Sequence, residues 1–161
     1  MIEVATKSPD DTRELAAQIG GLARAGDLLL LAGDLGAGKT TFTQGFGRAL
    51  GVRQQITSPT FTLMRTYQGV LPLLHVDAYR LDHLQEVIEL GLHEFLDEGS
   101  VALIEWGDFV SPVLPSDFLE IRLEFGAGDD ERRIRLRCVG PPWSNRQAAL
   151  RTALERWSMG S

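Results

Sequence analysis

The feature that most constrains this 161-residue chain is a glycine-rich segment at residues 33–40, directly after the apolar run at residues 28–32. The segment reads Gly-Asp-Leu-Gly-Ala-Gly-Lys-Thr and fits the pattern G-x-x-x-x-G-K-[S/T] at every fixed position. Chains with this pattern place the loop between a buried strand and the start of a helix. The segment therefore predicts an α/β fold, and a plain glycine-rich turn is the weaker alternative.

The same residues predict a nucleoside triphosphate site. Glycines let the backbone curl so that successive N–H groups face an anion, and the helix N-terminus that follows adds a partial positive charge. Lys39 contributes a full charge, and the hydroxyl of Thr40 would bind magnesium. The residues predicted to surround the phosphates are Gly33, Asp34, Leu35, Gly36, Ala37, Gly38, Lys39 and Thr40.

The length and net charge of the chain limit the number of domains and the classes of partner that it can have. Lys and Arg number 16 against 22 for Asp and Glu, so the net charge of −6 argues against a general surface for nucleic-acid backbones. The length predicts one domain over residues 1–161. The lone Cys138 cannot form an internal disulfide, and neither a membrane span nor a signal peptide is present, so we expect a cytoplasmic protein without membrane contact.

The order of elements supports a mostly parallel sheet flanked by helices. Helices are predicted from Ser8-Pro9 to Gly26, from Lys39 to Leu50 with Gly51 closing it, and over residues 84–96 with a weak point at Gly91 and a stop at Gly99. Strands are predicted over residues 28–31, 70–76 and 101–104. Such alternation of strands and helices is typical of parallel sheets.

The C-terminal third has a different pattern. Apolar and charged residues alternate over residues 119–125 and 133–138, which predicts a hairpin turned at residues 126–130 within a region of about 118–139. Acids on one strand would face arginines on the other, which favours cross-strand charge pairing over a nucleic-acid patch. A final helix is predicted at about residues 145–157.

Two carboxylates compete for the role of the acid that holds magnesium beside the loop. Asp77 and Glu105 each follow a hydrophobic strand, and the pattern does not rank them. His75 would share a strand face with Asp77, and a structural role is favoured over a role as a base. Arg80 would either stabilise phosphate charge or pair with a local acid, and these alternatives stay open.

Four motifs in order make the chain similar to a known family. They are residues 31–42, residues 58–63 (Ser-Pro-Thr-Phe-Thr-Leu), residues 75–81 (His-Val-Asp-Ala-Tyr-Arg-Leu) and Glu105-Trp106. Together they resemble the bacterial threonylcarbamoyl-tRNA ATPase family, TsaE, formerly called YjeE. The resemblance is strong over a nucleotide core at about residues 27–106 and only general in the hairpin and the last helix.

The resemblance implies a single P-loop ATPase domain that uses ATP and Mg²⁺. Its weak ATPase activity would be stimulated by partners and would support formation of N6-threonylcarbamoyladenosine at position 37 of tRNA. The implied partners are the metalloprotein that transfers the carbamoyl group and its pseudo-enzyme subunit, on which the ATPase docks to reset them. Contact with tRNA would be indirect, through that complex.

The resemblance also implies roles for single residues. Lys39, Thr40 and Thr41 match phosphate and magnesium positions. Glu105 takes the role of direct metal ligand, which leaves Asp77 to position magnesium or water. Three further residues carry implied roles: a place in the first switch-like segment for Thr60, a place beside the metal ligand for Trp106, and an approach to adenine for Thr12. Trp106 would pack against the nucleotide or a partner, with a position at the edge of the core as the alternative.

Two other functions compete with this interpretation. Short proteins with a phosphate loop often phosphorylate metabolites, but the connection between Trp106 and Leu119 is too short for the lid that such kinases bring. A regulatory GTPase would carry an Asn-Lys-x-Asp motif, and Asn145 is the only asparagine of the chain. The small metabolite kinase is therefore the principal alternative.

Overall fold

The computed structural model of the chain describes residues 1–34, 36–57, 64–78, 81–106 and 115–159. Its strands are β1 (Ile2–Thr6), β2 (Leu28–Gly33), β3 (Met64–Tyr67), β4 (Leu73–Ala78), β5 (Val101–Trp106), β6 (Phe118–Phe125) and β7 (Arg132–Val139). They form a seven-stranded sheet in the order β1-β7-β6-β2-β5-β4-β3. The predicted α/β class is confirmed.

The sheet is parallel at its centre and antiparallel toward its edges. Strands β6, β2, β5 and β4 run parallel, while β7 pairs antiparallel with both β6 and β1, and β3 pairs antiparallel with β4. The predicted hairpin of β6 and β7 is thus confirmed, and it is part of the main sheet. All carboxyl ends of the parallel strands meet at one edge of the sheet.

Helices cover both faces of the central strands. They are α1 (Pro9–Gly20), α2 (Lys39–Ala49), α3 (Leu81–Glu89), α4 (Leu92–Asp97), α5 (Pro141–Ser144), α6 (Gln147–Ala153) and a 3₁₀ turn (Glu155–Trp157). Leu29 and Leu31 of β2 belong to the core under α1 and α2, whereas Leu28 and Leu30 belong to the core under α3 and α4. Strand β2 is apolar throughout because both of its faces are buried. Among the described residues, no helix is long and apolar enough to cross a bilayer.

Helix α1 begins as predicted and ends earlier than predicted. The Ser8 hydroxyl accepts a hydrogen bond from the Asp11 backbone N–H, which caps the first turn. The helix ends at Gly20 rather than Gly26, so the predicted end was wrong. A Cβ at Gly20 would lie 2.7 Å from Cβ of Ala49, and this close packing of α1 against α2 requires glycine at that point.

Two other predicted boundaries change for reasons of backbone conformation, and a third is found as predicted. Strand β4 begins at Leu73 rather than at residue 70, because the Val70 N–H is donated to the Leu50 carbonyl at the end of α2 and Pro72 follows shortly after. The helix predicted over residues 84–96 is two helices, since Gly91 has a φ of 111° and separates α3 from α4. Leu50 caps α2, and Gly51 follows it with a positive φ, as predicted.

The C-terminal segment and β1 depart most from expectation. The helix predicted at about residues 145–157 is replaced by the separate elements α5, α6 and the 3₁₀ turn, and the break falls where Arg146 turns inward to Asp27. Strand β1 was not predicted. It lies against β7 and buries Ile2 and Val4.

Candidate functional site

The glycine-rich loop lies where β2 ends and α2 begins, as the sequence predicts. Gly36 and Gly38 have φ angles of 81° and 105°, in the left-handed region that favours glycine. At Gly33 the reason for glycine is different, because a Cβ there would lie 2.9 Å from the Leu123 carbonyl oxygen of β6. The loop is therefore shaped both by its own turns and by close contact with the hairpin.

The N-terminus of α2 is suited to an anion. Gly38 is its N-cap residue and supplies no side-chain hydrogen bond, and the first turn of α2 contains no acidic residue. Thr40 and Thr41, predicted to bind phosphate and magnesium, are half-buried in that turn. A helix start with neither a capping side chain nor an acidic residue in its first turn keeps its backbone N–H groups available to a ligand.

Lys39 is buried at the same place, with 7% of its surface exposed. Its Nζ atom donates a 2.7 Å hydrogen bond to the carbonyl of Gly33, so the side chain folds back over the loop. Burial lowers the pKa of the Lys39 ammonium below its ordinary value. Three negative charges oppose this lowering, those of Glu105, Asp77 and Asp34.

The two competing carboxylates prove to be neighbours. Asp77 of β4 and Glu105 of β5 stand opposite each other in the parallel register, and Glu105 also stands opposite Leu31 of β2. Glu105 is buried, with 3% of its surface exposed, and Asp77 is half-buried. Since Leu31 packs under α1 and α2, both carboxylates project on the face that carries the glycine-rich loop and its helix.

His75 lies two residues before Asp77 on the same face of β4, and its side chain is completely buried. Its Nε2 atom is 3.4 Å from Oε2 of Glu105. Within the described part of the chain, neither ring nitrogen has a hydrogen-bond partner. The histidine therefore contacts the carboxylate of Glu105 beneath the loop, a contact that the sequence pattern did not indicate.

Thr12 lies on α1 toward the same region. It is buried, and its hydroxyl shares a 2.7 Å hydrogen bond with the hydroxyl of Thr6, the last residue of β1. In the sheet register Thr6 stands opposite Arg132, whose side chain reaches the glycine-rich loop. The approach of Thr12 to adenine stays a prediction.

Several predicted site residues fall outside what the structure describes. They are Leu35, Arg80 and residues 58–63, which include Thr60. The backbone of Trp106 ends β5. The two alternatives for Arg80 and the roles of Thr60 and Trp106 stay predictions.

Arg132 is the residue that sequence analysis missed. Its Nε donates to the Ala37 carbonyl at 3.0 Å and its Nη2 to the Gly36 carbonyl at 3.3 Å. The sequence feature that could have indicated its role is its position in the hairpin, because Arg132 lies on the same strand face as the buried Ile134 and Leu136. An arginine on the inward phase at a strand end must have polar partners nearby.

The arginines on the opposite face of β7 form the cross-strand ion pairs that the sequence predicts. Arg137 pairs with Glu120 at 2.6 Å and Arg135 with Glu124 at 3.4 Å, on the face that points away from α1 and α2. Their partners are acids on the neighbouring strand, so this part of the surface is a cross-strand charge ladder.

Comparison with known proteins shows which family the chain belongs to. A sequence model for the family described as "Threonylcarbamoyl adenosine biosynthesis protein TsaE" matches residues 6–134. The chain belongs to the TsaE family. A Bacillus subtilis protein named tRNA threonylcarbamoyladenosine biosynthesis protein TsaE is 45% identical over 136 residues, 84% of each chain. A Streptomyces coelicolor protein of the same name is 44% identical over 139 residues, 82% of this chain and 93% of that protein.

A solved structure shares the fold as well. The crystal structure of Bacillus subtilis YdiB superposes with a TM-score of 0.72 at 40% sequence identity, covering 96% of this chain and 94% of that one. The TsaE match runs from Thr6 in β1 into β7. It therefore includes the glycine-rich loop, both carboxylates and Arg132, and it ends before α5.

Proposed function

We propose that this TsaE-family protein binds ATP with Mg²⁺ at the glycine-rich loop and hydrolyses it as a component of tRNA N6-threonylcarbamoyladenosine biosynthesis. The observation that carries the proposal is the grouping of Lys39, Glu105 and Asp77 beside the uncapped N-terminus of α2. A buried cation and a helix start suit phosphate oxygens, and paired carboxylates beyond them suit a divalent cation.

Thr40 and Glu105 are the residues that would hold the metal. Magnesium is usually bound by one or two protein oxygens together with phosphates and water, and Thr40 with Glu105 supplies such a small set. When bound, the ion would neutralise phosphate charge during hydrolysis. Asp77, next to Glu105 on the neighbouring strand, would position the metal or the attacking water.

The biological task follows from the family and from the relatives' names. Those names place the relatives in tRNA threonylcarbamoyladenosine biosynthesis. We propose that this protein docks on the carbamoyl-transferase metalloprotein and its pseudo-enzyme subunit in the cytoplasm, and that these partners raise a slow intrinsic ATPase rate. The net charge of −6 and the pairing of the hairpin arginines with glutamates support indirect contact with tRNA.

Titration with a fluorescent ATP analogue, with and without magnesium, tests the nucleotide site. Lys39→Ala should weaken binding by at least about thirtyfold, because the charge that faces the phosphates is removed. Arg137→Ala, an exposed arginine on β7, serves as the control and should bind like the unaltered protein. Unchanged affinity in the lysine variant would refute the site, and tighter binding of GTP than of ATP would refute the choice of nucleotide.

The partner hypothesis is tested by ATP turnover alone and with the purified two-protein complex. We expect slow turnover alone and a clear increase on addition of the complex, with the tagged protein recovering both partners from bacterial lysate. Full-rate hydrolysis that ignores the partners would refute docking. A phosphorylated product from a panel of metabolites would favour the kinase alternative instead.

A further inference from the structure

We infer that Arg132 is a positioning residue of the nucleotide site, through which the tip of the β6–β7 hairpin holds the glycine-rich loop in its phosphate-binding shape. The inference rests on the proposed function and extends the site beyond residues 27–106, the core expected from sequence. Neither the pattern of the loop nor the family match assigns a role to this arginine.

The guanidinium of Arg132 joins two pieces of backbone that are distant in sequence. On one side it donates to the carbonyls of Gly36 and Ala37. On the other side its Nη1 atom donates to the carbonyls of Asp129 at 2.6 Å and Glu131 at 2.8 Å, in the hairpin tip. A planar, permanently charged group with several N–H donors is suited to hold such a set of carbonyls in one geometry.

The hairpin tip is itself a firm support. The Gly126 N–H donates to the Glu131 carbonyl at 2.8 Å, and the Glu131 N–H donates back to the Gly128 carbonyl at 3.2 Å. The Arg132 guanidinium also lies over the ring of Phe125, 4.8 Å from its centre. These contacts fix the arginine from three sides, so the position of the tip is transmitted to the loop.

The contact with the Ala37 carbonyl has a direct consequence for phosphate binding. In a planar trans peptide the C=O and the next N–H point in opposite directions. Holding the Ala37 carbonyl toward Arg132 therefore aims the Gly38 N–H away from the hairpin. The Ala37 N–H is already bonded to the Asp34 carbonyl at 3.0 Å, which leaves the Gly38 N–H as the amide whose direction Arg132 controls for a ligand.

Two measurements on the full chain test this inference. The first is hydrogen exchange, without nucleotide, of the Ala37 amide, which is bonded to the Asp34 carbonyl, and the second is the affinity for ATP with magnesium. Arg132→Gln removes the positive charge and the planar set of N–H donors, whereas Arg132→Lys keeps only the charge. Arg137→Gln is the matched control, a change of the same kind on the same strand at a site away from the loop. Thermal unfolding of every variant reports any general loss of stability.

We expect Arg132→Gln to speed exchange of the Ala37 amide by at least about fivefold and to weaken ATP binding by about tenfold or more. Arg132→Lys should recover part of the affinity, and Arg137→Gln should change neither quantity. Faster exchange with unchanged affinity would overturn the inference by reducing Arg132 to a stability contact, and unchanged exchange would overturn it outright.

The outcome for the proposed function is separate. If the unaltered protein bound no ATP, the proposed function would fail, and so would the role of Arg132 in phosphate binding. If the unaltered protein binds ATP while Arg132→Gln binds it equally well, only the inference fails. Exchange confined to the loop distinguishes both cases from unfolding, which would accelerate exchange throughout the core.

Discussion

The Nε2 atom of His75 lies 3.4 Å from the Oε2 atom of Glu105, and both side chains are buried under the glycine-rich loop. The contact joins β4 to β5, because His75 lies on β4 two residues before Asp77, the residue that stands opposite Glu105. A buried side chain that touches a metal-binding carboxylate restricts the directions in which its oxygens can point. The first prediction therefore concerns the orientation of Glu105.

His75→Ala should lower magnesium-dependent ATP hydrolysis by about 10- to 100-fold, the range typical of residues that orient metal ligands. The measurement is the ATPase rate as a function of magnesium concentration. His75→Gln, which retains a polar group, should recover part of the loss, and His93→Ala, an exposed histidine of α4, should have no effect. A His75→Ala protein with unchanged magnesium dependence would show that the contact does not orient Glu105.

Glu105→Ala should separate metal-dependent from metal-free binding. Removal of the proposed ligand should weaken ATP binding in the presence of magnesium by at least about tenfold, and metal-free binding should change less because Lys39 and the loop remain. Paired titrations with magnesium and with a chelator measure the difference. Equal losses under both conditions would indicate that Glu105 supports the fold of the site rather than the metal.

The lowered pKa of Lys39 predicts how ATP affinity depends on pH. Phosphate oxygens favour the charged ammonium, so the pKa of Lys39 in the complex should exceed its pKa in the free protein, which burial holds below the ordinary value of 10.5. Binding then takes up a proton once the pH exceeds the pKa of the free protein. Affinity should be steady at neutral pH and should fall as the pH rises through that pKa.

The measurement is the dissociation constant for ATP across the alkaline range. Lys39→Arg is the control, because a guanidinium stays protonated throughout this range and should abolish the decline even if overall affinity is lower. The same decline in Lys39→Arg would assign the titration to another group.

Removal of one partner from the buried ion pair of Asp27 and Arg146 should destabilise the protein strongly. Both side chains are buried, and Arg146 donates to the two carboxylate oxygens at 2.7 Å each. Arg146→Ala would leave Asp27 buried without its cation and should lower the free energy of unfolding by about 3–5 kcal/mol. Arg137→Ala, which removes an exposed pair with Glu120, should lower it by less than about 1 kcal/mol.

Urea denaturation followed by circular dichroism measures both changes. Similar losses in the two variants would show that leaving Asp27 without its cation costs no more than breaking an exposed pair.

Two glycines of α2 should respond differently to the same substitution. A Cβ at Gly45 would lie 2.2 Å from the Arg13 carbonyl oxygen of α1, so Gly45→Ala must displace backbone and should destabilise the protein by about 1–3 kcal/mol. A Cβ at Gly47 would meet the terminal methyl of Ile56, which can move. The gain in helix propensity, about 1 kcal/mol, should keep Gly47→Ala close to the unaltered protein.

Thermal unfolding of the two variants tests the close packing of α1 and α2. If Gly45→Ala were as stable as Gly47→Ala, the two helices would be able to separate without loss. The contact would then be a loose one.

The sequence predicted those features in which a residue's role depends on its neighbours in the chain. The glycine pattern predicted the strand, the loop and the helix around residues 33–40, and the Ser8-Pro9 pair predicted the start of α1. Alternation of charged and apolar residues predicted the hairpin of β6 and β7. Errors fell at ends of elements, such as Gly20 and Leu73, because those ends depend on packing against α2 and on turns that a linear pattern does not contain.

The sequence by itself thus determined the α/β class, the glycine-rich loop and its lysine, since these follow from short-range backbone geometry and hydrophobic periodicity. Only the tertiary structure decided that Asp77 and Glu105 are neighbours, that His75 touches Glu105, and that Arg132 reaches the loop. Each of these contacts joins residues from separate elements of the fold, and the order of strands in a sheet is set by long-range packing. Their partners are therefore visible only once the sheet has formed.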